Sequence, residues 1–196
     1  MATQIAQKRA DPAVSQRPFA AAWAFLPALG AALAHAPILR YDLLAPLKRP
    51  LDGGTGVFGH NKTWRGALAM SGGTVAAAAA LTRARWFRDR LPADLRDAPP
   101  VAYGILLGAG VVLGELPNSF VKRRLGIPPG SRRRSPAGVA LAVFDQGDFV
   151  LASWLTLAPL WRMRPRQVAA AFVIVAGVHA GVNVVGYAIG ARSSPV

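Results

Sequence analysis

The sequence predicts an all-α, polytopic integral membrane protein with about five transmembrane helices in one bundle. Three observations lead there. The 196 residues are 53% hydrophobic, and the apolar residues gather in runs near the ~20 residues that a bilayer span requires. Only nine residues are acidic, too few for the solvated surface of an ordinary soluble domain. No Pro/Gly/Ser-rich linker divides the chain, so residues 18–196 read as a single membrane-embedded domain behind a polar tail at 1–17.

The first apolar run, Pro18 to Leu39, is too long for a cleaved signal and has no small-residue cleavage site after it. The second, Ala67 to Thr82, is alanine-rich and extends at both ends. The third runs from Pro100 to about Leu116. The fourth, Pro136 to Trp161, has Ser135 as its cap and Pro136 in its first turn. The fifth covers Gln167 to Ile189. Glycine pairs spaced by four (Gly104/Gly108, Gly110/Gly114, Gly177/Gly181, Gly186/Gly190) let helix backbones approach closely in lipid. Packing within one monomer is the expectation for them, with a homo-oligomer interface as the alternative. The Arg83–Asp97 segment mixes five Arg with three Asp and reads as a solvated connection.

Charge and cysteine usage narrow the function. The formal net charge is +14. In a membrane protein such an excess sets topology, attracts anionic lipid or lines a site for a polyanion. No soluble basic domain is present to hold nucleic acid. The absence of cysteine excludes disulfides and thiolate metal sites. Lys and Arg divide almost evenly between the two faces of a five-span arrangement, so charge bias does not orient it.

Two basic segments flank the apolar runs. In Lys48–Gly66 four glycines (Gly53, Gly54, Gly56, Gly59) precede Asn61, Lys62, Thr63 and Arg65. A glycine-rich loop entering a helix can wrap backbone N–H groups around phosphate, although this is not the P-loop pattern, and an interfacial loop is the plain alternative. Trp64 suits an interfacial anchor. In Gly114–Arg134 the chain leaves the third helix at Glu115 and presents Ser119, Lys122, Arg123 and Arg124. These suit either anionic-lipid contact or a phosphate clamp. Arg132, Arg133 and Arg134 suit the lipid role.

Asp145 and Asp148 lie mid-run in the fourth apolar stretch, where each carboxylate costs about 2.5–3.5 kcal/mol to insert. On a continuous helix they share one face, with Cβ atoms about 5–6 Å apart. Two ionised carboxylates so close need a proton or a cation between them. Hard oxygens suit Mg²⁺; a proton relay, or pairing with Lys122 or Arg123, are the alternatives. His35 is assigned to helix surface or packing, whereas His60 sits in the glycine-rich loop within reach of a ligand. His179 and Asn183, spaced i and i+4, either hydrogen-bond across helices or line the aspartate cavity.

Together GHNKTWRG (Gly59–Gly66), SFVKRRLGIPPG (Ser119–Gly130), FDQGDF (Phe144–Phe149) and HAGVNVVGYAIG (His179–Gly190) resemble the CDP-archaeol synthase family. That family is related to the CDP-diacylglycerol synthases (phosphatidate cytidylyltransferases). Gln146 resembles the archaeol branch, and Glu115 stands where an aspartate is expected. The resemblance implies a five-span enzyme of phospholipid biosynthesis. Such an enzyme joins CTP to a lipid phosphate, archaetidic-type or phosphatidic acid, with Mg²⁺, and releases pyrophosphate. On this reading Asp145 and Asp148 hold Mg²⁺, and Lys62, Arg65, Lys122 and Arg123 hold the phosphates, Lys122 being counted with the aspartates as catalytic. Asn61, Thr63 and Ser119 add hydrogen bonds, Asp52 orients a base or a water, and Glu115, His179 and Asn183 are further candidates. Membrane lipids are the other partners. The enzyme is expected in the cell (inner) membrane with both basic loops facing the cytoplasm. A transporter or proton-coupled carrier using the same aspartates is the rival.

Overall fold

The computed structural model describes residues 18–128 and 136–188. The Ser135 cap, Arg132–Arg134, the 1–17 tail and Gly190 lie outside them. Among the described residues every regular element is helical. A 3₁₀ helix at Pro18–Ala28 runs into α1, Leu29–Arg40. Then come α2 (Trp64–Leu81), the short α3 (Arg85–Arg88) and α4 (Ala93–Arg96), and the long α5 (Pro100–Arg124). The chain ends with α6 (Pro136–Phe144), α7 (Asp148–Thr156) and α8 (Pro165–Ala188).

Three segments are long and apolar enough to span a bilayer: Phe19–Arg40, Pro100–Arg124 and Pro165–Val185. The α6–α7 pair, bent by 48°, makes a fourth if it counts as one span. The remaining expected span, α2, is an 18-residue helix packed between α1 and α5.

Close backbone approach explains the glycines of α5. A side chain on Gly104 or Gly108 would strike Val75 or Ser71 of α2, and one on Gly110 or Gly114 would strike Ser153 or Phe149 of α7. The two glycine pairs therefore dock α5 on two helices at once. Gly177 and Gly181 behave otherwise, since nothing stands within 4 Å of a side chain added there. The intramonomer packing expected of that pair is not seen.

The apolar core gathers at one end of the bundle. Phe25, Phe87, Leu95, Tyr103, Leu107, Val150, Leu157 and Ala171 are buried together. Phe87, Leu91 and Leu95 come from the Arg83–Asp97 segment, so that connection is not simply solvated. Its charged residues hide an apolar face that four-residue helices turn inward. Most of the buried apolar bulk lies around the N-terminal half of α5. The opposite end, around the C-terminal half of α5, is polar.

Two expectations about element boundaries need correction. First, α5 does not end near Leu116 but continues through Pro117 to Arg124. Lys122, Arg123 and Arg124 occupy its last turn, where cations complement the helix dipole. Second, the fourth run is not one helix. It breaks at Asp145–Gly147, and Asp148 opens α7. Asp and Gly are weak helix formers, and an acidic residue is favoured in a first turn, so this sequence stops one helix and starts another. The two aspartates therefore do not sit one turn apart on a single helix.

Candidate active site

Residues 41–63 fold over the polar end. The loop is pinched at its base, where Leu51 N–H donates to the Lys62 carbonyl (2.8 Å) and Trp64 N–H to that of Arg49 (3.0 Å). Gly53, Gly54, Gly56 and Gly59 all have φ between 66° and 94°, a region that other residues rarely adopt. The Asp52 carboxylate accepts from the N–H groups of Gly54 and Phe58, both at 3.0 Å. These hydrogen bonds, with that from Phe58 foremost, hold its carboxyl below the usual range. Asp52 thus organises the loop tip.

Thr63 caps α2, its Oγ1 accepting from Gly66 N–H at 3.2 Å. The hydroxyl expected to serve phosphate therefore has a local acceptor role, although its hydrogen remains available to donate. Trp64 is exposed, as an interfacial anchor would be. Beneath the loop lies a cleft of about 560 Å³. His35, Lys48, His60, Asn61, Lys62 and Arg65 line it. His35 therefore faces the cleft, not merely the helix surface.

Three of the cations expected to bind phosphate already hold carboxylates. Lys62 pairs with Glu115 at 2.5 Å. Arg65, only 7% exposed, reaches Asp42 at 2.6 Å and the Leu43 carbonyl at 3.3 Å. Lys122 pairs with Asp145 at 3.1 Å. Lys48 joins Arg65 on Asp42. The two cations, Lys48 first, keep the Asp42 carboxyl below its ordinary range. Arg123 is different, because its Nε and Nη1 are buried without a hydrogen-bond partner.

The α5 extension places these groups. Glu115, Asn118, Ser119 and Lys122 follow i, i+3, i+4, i+7 spacing and share one face. Glu115 turns to Lys62, whereas Asn118 and Lys122 turn to the break. Asn118, 2% exposed, donates to Asp145 Oδ1 at 2.6 Å and to the Leu141 carbonyl at 3.2 Å. Asp148 is 4% exposed, and its Oδ2 has no hydrogen-bond partner. Asp145, Glu115 and Lys62 all lie within electrostatic reach of Asp148. The cleft itself touches Glu115 but neither aspartate. Two subsites thus adjoin, one under the glycine-rich loop and one at the broken helix, with Glu115–Lys62 between them.

Some of this escaped sequence reasoning. Asp42 was missed, although Asp42 and Asp52 are the only acids between the first two apolar runs. Asn118 was missed because the third helix was ended too early; its place between Glu115 and Lys122 on one face was the available signal. His179 and Asn183 do hydrogen-bond across helices. His179 Nδ1 lies 3.1 Å from the Gln146 carbonyl, and Asn183 Nδ2 donates to Gln146 Oε1 at 3.0 Å.

The residues fit Mg²⁺. Asp145 and Asp148 offer hard carboxylate oxygens, one of them buried and unpartnered. No group of three or more His, Cys, Asp or Glu with metal-site geometry occurs among the described residues. Mg²⁺ commonly needs only one or two carboxylates, completing its shell with water and substrate phosphate.

Comparison with known proteins identifies a family. A family model described as CarS-like, CDP-archaeol synthase, matches residues 19–195. The CDP-archaeol synthase of Halobacterium salinarum is 35% identical over 89% of this chain and 94% of its own length. That of Thermococcus onnurineus is 33% identical, covering 88% and 95%. That of Sulfolobus acidocaldarius is 27% identical, covering 87% and 93%. No solved structure matches significantly.

Proposed function

Because the chain belongs to the CDP-archaeol synthase family, we propose that it transfers the cytidylyl group of CTP to an archaetidic-type lipid phosphate at the polar end of its bundle. At the coarser level it is a CTP-dependent nucleotidyltransferase that makes a CDP-activated lipid. One observation supports this site above others. Lys62, Arg65 and Lys122 each grip a carboxylate oxygen, the nearest chemical stand-in within the protein for a phosphate oxygen.

In the reaction a lipid phosphate oxygen attacks the α-phosphorus of CTP. A new P–O bond forms, the bond to the bridging oxygen breaks, and pyrophosphate leaves with that electron pair. Such transfers depend on positioning and charge neutralisation more than on covalent help from the protein. Lys62 and Arg65, with Asn61, bind the triphosphate under the glycine-rich loop. Lys122 and Arg123, with Ser119, hold the phosphate oxygens nearer the break. Asp145 and Asp148 are the residues that would hold Mg²⁺. When bound, Mg²⁺ supplies charge neutralisation at the reacting phosphates.

CTP is cytosolic, so the polar end faces the cytoplasm and the enzyme resides in the cell membrane. The exposed apolar side chains of α8, among them Val173, Val178 and Val185, meet lipid. The experiment is an acceptor panel. The purified protein, given labelled CTP, Mg²⁺ and either archaetidic-type or phosphatidic acids, should form CDP-lipid and pyrophosphate, with the archaetidic-type acceptor preferred. Equal or better use of phosphatidic acid would overturn the acceptor assignment. Pyrophosphate formation from neither would overturn the reaction.

A further inference from the structure

We propose that His179 and Asn183 of α8 are positioning residues, which hold the break between α6 and α7 open in the shape that aims Asp145 and Asp148 at the site. The functional part of this inference rests on the reading above; the structural part does not. Non-helical backbone at membrane depth is tolerated only where its polar groups are satisfied inside the protein. The break frees such groups, and Gln146 gathers them. Its own N–H turns to the Val143 carbonyl (3.1 Å), while its Nε2 donates to the Ala142 carbonyl (3.2 Å) left without its usual partner. Its side-chain carbonyl takes the Asn183 amide, and its backbone carbonyl lies at hydrogen-bond distance from His179 Nδ1.

The same face of α8 sets the break sterically. Phe172 lies two turns before His179, and a side chain on Gly147 would meet its ring at 3.0 Å. From the other side, Asn118 of α5 ties Leu141 and Asp145. The break is thus gripped between two helices. Asp145 immediately precedes Gln146, and Asp148 follows it by two residues. If Gln146 lost its α8 partners, residues 145–147 would be free to wind towards a continuous helix, carrying both carboxylates away. His179 must present hydrogen on Nδ1 for its contact. Asn, whose amide occupies the place of Nδ1, can replace it; Gln, whose amide occupies that of Nε2, cannot.

The test uses the full chain in detergent with His179→Ala, His179→Gln, His179→Asn and Asn183→Ala. Gln keeps polarity and bulk, so it reports even if His179→Ala fails to fold. Hydrogen exchange is read on peptides covering residues 142–150. Exchange should quicken by roughly three- to tenfold in His179→Gln and Asn183→Ala, the loss of one net hydrogen bond, and stay near native in His179→Asn. In turnover, half-saturating Mg²⁺ should rise by about tenfold or more in the same variants, as when an outer-shell partner is lost, while the KM for lipid phosphate holds. Unchanged exchange in both variants overturns the clamp. So does an Mg²⁺ dependence that Asn restores no better than Gln. Absence of turnover by the unsubstituted chain would refute the cytidylyltransferase reading, and exchange would still decide the clamp.

Discussion

Asp148 carries the strongest local signal in the molecule, because a buried carboxylate oxygen without a partner is costly to keep. If its role is to meet a cation, the protein alone is better off without the charge. Asp148→Asn should therefore leave the melting temperature of the purified protein unchanged or raised. A fall of several degrees would mean that the carboxylate has a structural partner. The exposed carboxylates Asp42 and Asp52 behave oppositely. Their folded-state pKa values are depressed by the groups they bind. Their contribution is present above the unfolded pKa and is lost as pH falls through the folded one, below about pH 4. Hydrogen exchange in residues 42–58 should thus be insensitive to this linkage, after correction for intrinsic rates, near neutrality and quicken in acid. Exchange that loosens between pH 8 and 6 would contradict it. Residue types and their clustering were legible from sequence for Asp145, Asp148, Lys62, Arg65 and Lys122. Their partners were not: Asp42 meets Arg65 only because the 41–63 loop folds back, which no local pattern encodes.

At the scale of elements, glycine spacing proved informative and helix continuity did not. The pairs Gly104/Gly108 and Gly110/Gly114 announced close packing, and α5 docks on α2 and α7 through them. A Gly114→Val substitution puts methyls against the Phe149 backbone, overpacking of a kind that costs about 1–3 kcal/mol. It should lower the melting temperature by several degrees and weaken activity, since Asp148 lies next to Phe149. An unchanged melting temperature would show that α5 and α7 can separate freely. The break escaped prediction because hydropathy sees one apolar run, whereas tertiary hydrogen bonds from Asn118, His179 and Asn183 stabilise the interruption. The third apolar run ends near Leu116, yet α5 continues through Pro117 for two more turns and so delivers Asn118 and Lys122 to Asp145.

At the scale of the whole molecule, buried groups separate along the bundle. Apolar side chains gather around Tyr103, Leu107 and Leu157, and part-buried ion pairs gather at the end reached by Lys62, Glu115 and Lys122. The all-helical membrane architecture follows from the apolar runs, but near-equal charge on the two faces leaves orientation open to sequence. A single cysteine at Thr55, on the exposed loop of this cysteine-free chain, should react with a membrane-impermeant reagent only from the cytoplasmic side. Labelling from the opposite side alone would invert the orientation. The most direct measurement of the central claim compares CDP-lipid formation from CTP, Mg²⁺ and lipid phosphate by the native chain and by folded Asp145→Asn and Asp148→Asn variants. The native chain should turn over, and each variant should lose about 10²–10³-fold, as when a group that stabilises transition-state charge is removed. Undiminished activity in both variants would contradict the assignment of the broken helix as the reaction centre.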